Sequence, residues 1–234
     1  MPLAGGIMQH GYQCGMLWGA VLAAGARAFQ FFGPGAKAET MAIIAAQRLV
    51  KSYQAQFNII NCGDLTDINI SSSPMELLTH FLLKGGSIRC FRMAAKYAPI
   101  AFEEINAALA EAPKEIPSPP ISCTAELARK NGLSEMQVVM AAGLAGGIGL
   151  SGEACGALGA AIWIGAMESN TAGSAQTEFK DPKALAMIDK FLRCTDFEFE
   201  CAGIVGRTFE NIQDHANFVC SGGCANIIRT LANE

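Results

Sequence analysis

Ala145-Gly146-Gly147-Ile148-Gly149-Leu150-Ser151-Gly152-Glu153-Ala154-Cys155-Gly156-Ala157-Leu158 echoes an earlier stretch, Ala4-Gly5-Gly6-Ile7-Met8-Gln9-His10-Gly11-Tyr12-Gln13-Cys14-Gly15-Met16-Leu17. The offset is a constant 141 residues. A second cysteine follows each copy at similar distance, Cys62 after Cys14 and Cys201 after Cys155, and aromatic residues precede each one (Tyr53 and Phe57; Phe197 and Phe199). A third cysteine opens the last helical pattern of each half: Cys90 before Phe91-Arg92-Met93-Ala94, Cys224 before Ala225-Asn226-Ile227-Ile228. Four prolines between Pro113 and Pro120 mark an extended linker. The expected organisation is a first module over 1–111, a Pro-rich linker over 112–121 and a second module over 122–234, the product of an internal duplication.

Working outward, the pattern is helical throughout. Thr40 caps a helix over Met41–Gln56, Ser73-Pro74 starts another that Gly85-Gly86 stops, and Cys90–Glu111 forms a third. In the second half Ser134 caps Glu135–Ala145, and Asp181-Pro182 begins a helix ending near Arg193. Gly33–Ala38 and Asn170–Lys180 read as loops. Asp196–Glu200 alternates like a strand but is too short to outvote its surroundings. The fold class is therefore all-α, two related helical bundles. With 25 Gly and 38 Ala in 234 residues, helices are expected to pack closely along Gly/Ala faces rather than around a Leu-filled core.

Composition excludes several functions. A net charge of −4 lacks the basic face that a nucleic-acid binder needs to displace counterions. Met136–Met167 is broken by Glu153 and repeated glycines, so no integral membrane span is expected. The apolar run Cys14–Ala26 has no Lys or Arg before it, and its near-copy lies mid-chain, so it does not read as a signal peptide. A cytoplasmic setting follows. Gly147-Ile148-Gly149-Leu150-Ser151-Gly152 spells G-x-G-x-x-G, but the segment ahead of it reads as helix rather than strand, which argues for a tight turn and against NAD. There is no Cys-x-x-Cys-His for c-type haem.

Nine cysteines, an odd number, suggest ligand or reactive thiols rather than a stapled scaffold. In the second half Cys123, Cys155, Cys201 and Cys224 each fall at or near a helix start. Unpaired N–H groups and the positive dipole end favour a thiolate there, or an anionic cluster held by several thiolates. The same residues would equally fill small core holes beside Gly and Ala. A metal or cluster needs all four sulfurs to converge, whereas a dithiol–disulfide relay needs only two. Cys220, in Cys220-Ser221-Gly222-Gly223-Cys224, is the alternate to Cys224, and Cys194 reads as core. His10 and His215 lie close in sequence to cysteines without forming a motif. Asp196, Glu198 and Glu200 crowd Cys201 and must face solvent if its thiolate is to form.

Cys155-Gly156-Ala157 in its glycine-rich setting, with one cysteine upstream and two downstream, resembles the C-GCAxxG-C-C family of redox-active proteins. The likeness extends over 121–234, and over 1–111 as a second copy incomplete at its N-terminus. A related cysteine-rich domain occurs in split-Soret cytochromes. The resemblance implies a small helical domain with Cys123, Cys155, Cys201 and Cys224 as its four positions, and Cys14, Cys62 and Cys90 as a second possible site. It further implies a cofactor, an iron–sulfur cluster of the 2Fe-2S type in preference to 4Fe-4S, serving electron transfer with an unidentified redox partner protein. An oxidoreductase is the enzyme class this would suit. The sequence departs from the family pattern in two places: the glycine after Cys155 falls at Gly159, one residue early, and Met16 replaces Ala in the first half. Thiol-based binding of a metal or metalloid stands as the alternative function, with a cluster-free dithiol relay beside it. The apolar excess also points to a homodimer.

Overall fold

The computed structural model describes residues 3–66, 72, 74–80, 85–111, 113, 115–171 and 181–232. The described residues are all-α. The first half carries α1 (Gly15–Phe32), α2 (Ala36–Phe57), α3 (Cys62–Thr66), α4 (Pro74–Leu78) and α5 (Gly86–Ala110). The second carries α6 (Cys123–Lys130), α7 (Glu135–Ala142), α8 (Gly156–Thr171), α9 (Pro182–Cys194), α10 (Cys201–Val205), α11 (Ile212–Cys220) and α12 (Ala225–Leu231).

Local chemistry sets most boundaries. The Ser122 hydroxyl accepts from the Ala125 N–H at the start of α6, and Ser134 forms a reciprocal capping box with Gln137 at the start of α7. Asp181 caps α9, with Pro182 in its first turn. Gly206, at φ 77°, ends α10 after one turn, and α11 begins only at Ile212.

Two expectations are corrected. α2 begins at Ala36, so the break is Gly33–Gly35 rather than Gly33–Ala38; good helix formers such as Ala36 and Ala38 extend the helix backwards. Gly85-Gly86 starts α5 instead of stopping α4: Gly85 is a left-handed N-cap, which leaves Cys90 one turn inside the helix. Asp196–Glu200 contributes a single bridge, Glu200 to Ala154, because Asp196 and Phe197 have φ of 52° and 65°. The expected Ser73 cap, and residues 172–180 of the expected Asn170–Lys180 loop, lie outside the described residues.

The quoted Gly-rich stretches are left-handed turns. Gly5, Gly6, Ile7, Met8 and Gln9 all have positive φ (48° to 73°), as do Gly146, Gly147, Ile148, Gly149 and Leu150 (58° to 81°). Each non-glycine residue there costs roughly 1–2 kcal/mol. Burial offsets this, since Ile7, Met8 and Ile148 are sealed in the core. The turn in the second half follows α7, so the G-x-G-x-x-G run is the expected tight turn and has no strand before it.

The two halves share one core. Gly25 on α1 sits where a Cβ would come within 2.5 Å of the Met140 Cα, so α1 and α7 touch backbone to backbone. Gly159 on α8 faces the ring of Trp18, and a Cβ there would overlap it. Gln13 Nε2 donates to the Gly147 carbonyl (3.1 Å), Tyr12 stacks on Phe199 (4.2 Å between centroids), and buried Glu39 of α2 pairs with Arg129 of α6. This agrees with close packing along Gly/Ala faces.

Candidate functional site: two thiol pockets

The backbone builds each cysteine pair in the same way. The Cys14 N–H donates to the Ile60 carbonyl (2.8 Å) and the Cys62 N–H to the Tyr12 carbonyl (2.7 Å). In the second half the Cys155 N–H donates to Phe199 (2.9 Å) and the Cys201 N–H to Glu153 (2.8 Å). Single antiparallel bridges, Gln13 with Asn61 and Ala154 with Glu200, lie inside these pairs. The left-handed turn thus delivers a short extended segment that clamps two helix starts, those of α1 and α3 or of α8 and α10, side by side. A cysteine stands at each start.

In the second half Cys123, Cys155, Cys201 and Cys224 lie near enough to influence one another's thiols. The thiol of Cys123, first residue of α6, donates a hydrogen bond to Cys224, the N-cap of α12. Cys123, Cys155 and Cys201 are buried and Cys224 is half-buried. Burial and the neighbouring sulfurs Cys224 and Cys194 push the Cys155 thiol up to about 12, although the Ala157 and Leu158 N–H groups donate to it. Burial, Cys155 and Cys224 push Cys201 up. Within the Cys123–Cys224 pair the proton stays on Cys123, which is buried, and the hydrogen bond it donates lowers Cys224. Cys224 is therefore the most acidic sulfur of this pair. Among the described residues, no three Cys, His, Asp or Glu side chains are disposed to hold a metal ion as they stand.

The first half brings three cysteines together. Cys14, Cys62 and Cys90 line a cavity of about 20 Å³ with Thr66, His80 and Met16. Burial pushes Cys62 up to about 11, with Cys14 adding to it and Thr66 opposing. Cys90 is raised by burial and Cys14, while Arg89 acts against both. The buried Tyr53 hydroxyl, without a nitrogen or oxygen partner, is raised by its burial and by Cys14 beside it.

Other sequence candidates are placed elsewhere. Cys220 is exposed at the end of α11. Cys194 is half-buried, yet close enough to Cys155 to raise it. Asp196 and Glu200 are exposed, and the Glu198 carboxylate accepts from the Phe199 and Glu200 N–H groups (2.7 and 2.8 Å). His10 bonds the Ile7 carbonyl and stacks on Phe199. His215 is buried on the Ile121 carbonyl (3.0 Å), and burial lowers its pKa, favouring the neutral ring.

Sequence reasoning missed Thr66, His80 and Arg89. Thr66 lies one turn beyond Cys62 and Arg89 directly precedes Cys90, so both were within local reach. His80 arrives by the tertiary fold, and no spacing pointed to it.

The described residues thus form an all-α fold that sets cysteines at two clamped pairs of helix starts. Residues 1–104 match the family model described as "Putative redox-active protein (C_GCAxxG_C_C)", which this part of the chain resembles. The match covers Cys14, Cys62 and Cys90 and lies on the half expected to be the incomplete copy. No curated protein and no solved structure matches the chain. No helix among the described residues is long and apolar enough to cross a membrane.

Proposed function

We propose that the protein is an electron-transfer protein with its principal site at Cys123, Cys155, Cys201 and Cys224, which hold an iron–sulfur cluster. The observation that carries this reading is that four cysteines from four separate helix starts lie near enough to influence one another's thiols. The donor set is all sulfur, with no carboxylate or imidazole among the groups that perturb these thiols, and it suits soft thiolate-bound iron. Bound, a cluster would supply reversible one-electron chemistry. The chain's own part is to bury the sulfurs, exclude water and aim the Ala157 and Leu158 N–H groups at Cys155. Hydrogen bonds to sulfur and burial are the levers that set such a centre's potential. As placed, the side chains must close in to bind iron.

The domain reading of 1–111, 112–121 and 122–234, and its origin in a duplication, belong to the same proposal, supported by the equivalent hydrogen bonds around Cys14/Cys62 and Cys155/Cys201. One observation favours a second reading. The thiol hydrogen bond between Cys123 and Cys224 is the contact a dithiol–disulfide couple would use, with the lowered Cys224 as attacking thiolate.

Anaerobic purification with iron analysis and a visible spectrum separates the two. A cluster gives iron in stoichiometric amount and sulfur-to-iron charge-transfer absorption, lost in Cys155→Ser and kept in Cys194→Ser. A colourless, iron-free protein that forms a Cys123–Cys224 disulfide on mild oxidation supports the relay and overturns the cluster.

A further inference from the structure

The cavity of Cys14, Cys62 and Cys90 shares two of its wall residues, Arg89 and Met93 of α5, with a second, larger groove of about 460 Å³. The other walls of that groove are Phe57, Gly85, Ile88, Arg92 and Lys96. Residues 85, 88, 89, 92, 93 and 96 recur at helical spacing, so one side of α5 forms the groove. Cys90 stands on the adjoining side, next to Arg89. A volume of this order suits a small organic ligand. Charge sets the ligand's chemistry. In a chain of net charge −4, three exposed cations gather here, and no carboxylate is among the described lining residues. Among the described residues none of the three is in an ion pair. Gly85 caps α5 without a side-chain hydrogen bond, so the positive end of the helix dipole lies at the same place. Phe57, Ile88 and Met93 add apolar surface beside the cations. The groove therefore matches an organic frame that carries more than one negative charge, set against a wall of the cysteine cavity.

We infer that this groove binds a small anionic organic disulfide, of the class of oxidised glutathione, and presents it to Cys90 for thiol–disulfide exchange. Its carboxylates would lie at Arg92 and Lys96, and its sulfurs at the shared wall. The Cys90 thiolate attacks one sulfur: a bond from Cys90 to the ligand forms, the ligand's own S–S bond breaks, and the other half leaves as a thiolate, which takes up the proton Cys90 gave up. Cys14, the sulfur whose charge reaches Cys90, then attacks Cys90 and releases the first half as a thiol. A Cys14–Cys90 disulfide remains, and the electron pair of the two cysteines has reduced the ligand. Burial and Cys14 hold the proton on Cys90 while Arg89 opposes them, so the rate depends on the groove concentrating the disulfide. The reaction uses the first half alone and does not rest on the cluster proposed for the second.

The test treats the reduced full chain with oxidised glutathione and, separately, with neutral hydroxyethyl disulfide, and follows the cysteines by peptide mapping. The unaltered chain should end with a Cys14–Cys90 disulfide and both halves released as glutathione. Cys14→Ser, which cannot take the second step, should stop at a glutathionyl group on Cys90, formed at a rate that saturates. Reversing the groove's charge in that background (Arg92→Glu with Lys96→Glu) should lower the ratio of the glutathione rate to the hydroxyethyl disulfide rate roughly tenfold or more. The ratio cancels any general change in access to Cys90. An unchanged ratio, a rate that never saturates, or an adduct on Cys62 or exposed Cys220 in place of Cys90 would each overturn the proposal. Non-exchanging S-methylglutathione should protect Cys90; equal protection by inorganic phosphate would mean a groove for any anion and would overturn the disulfide ligand.

Discussion

Cys155 shows at the residue scale what each pocket must balance. Two helix-start N–H groups favour its thiolate, yet burial and nearby sulfurs win and hold it up to about 12. Cys62 behaves alike at about 11, and Cys123 and Cys201 move in the same direction. A thiol whose folded pKa lies above its unfolded value of about 8.5 leaves stability intact below that value. Stability is then lost as pH rises, until the folded pKa is passed. The metal-free protein should therefore lose about 1.4 kcal/mol per pH unit for each such thiol between about pH 8.5 and 11. Urea melts across that range should show the slope, shallower in Cys155→Ser; a flat profile would mean solvated cysteines. The cysteine positions were legible in the sequence because helix-start signals surround them. Tyr53, read only as an aromatic ahead of Cys62, and His80 were not, since the fold alone brings them to Cys14.

At the scale of elements, caps and turns carry the architecture. The Ser134 capping box starts α7, the second-half helix that packs on α1 and α2. Ser134→Ala should cost about 1 kcal/mol in chemical denaturation. A cost near zero would show that tertiary packing alone holds this helix start. The starts of α7 and α9 were readable, because Ser-x-x-Gln and Asp-Pro are local signals. The role of Gly85-Gly86 was not: two glycines punctuate a chain without saying which neighbouring helix they serve, and only the left-handed Gly85 settles it for α5. The left-handed turns lay beyond reach for a related reason. Ile7, Met8 and Gln9 have no preference for positive φ, and only their tertiary setting holds them there.

Across the whole molecule, glycine and alanine do what the composition suggested, letting helices of the two halves touch. Trp18 and Gly159 occupy equivalent positions by the 141-residue offset and face each other, one filling the space the other leaves. Gly159→Ala should destabilise by about 1–3 kcal/mol through overpacking against a fully buried indole. Trp fluorescence melts would show it, and an unchanged midpoint would contradict this contact. The sequence showed the all-α class and the repeated cysteine segments. The shared core was hidden, because Gln13, Tyr12 and Glu39 reach across to groups whose proximity no spacing encodes.

The central claim is that four sulfurs from distant points of the second half can bind at one centre. X-ray absorption of the protein loaded with one equivalent of cobalt(II), in a Cys14→Ser background that disables the first pocket, counts them directly. A first shell of four sulfurs, reduced to three by Cys155→Ser and unaltered by Cys194→Ser, is the result this account predicts. A shell of oxygen and nitrogen, or one indifferent to Cys155, would contradict it.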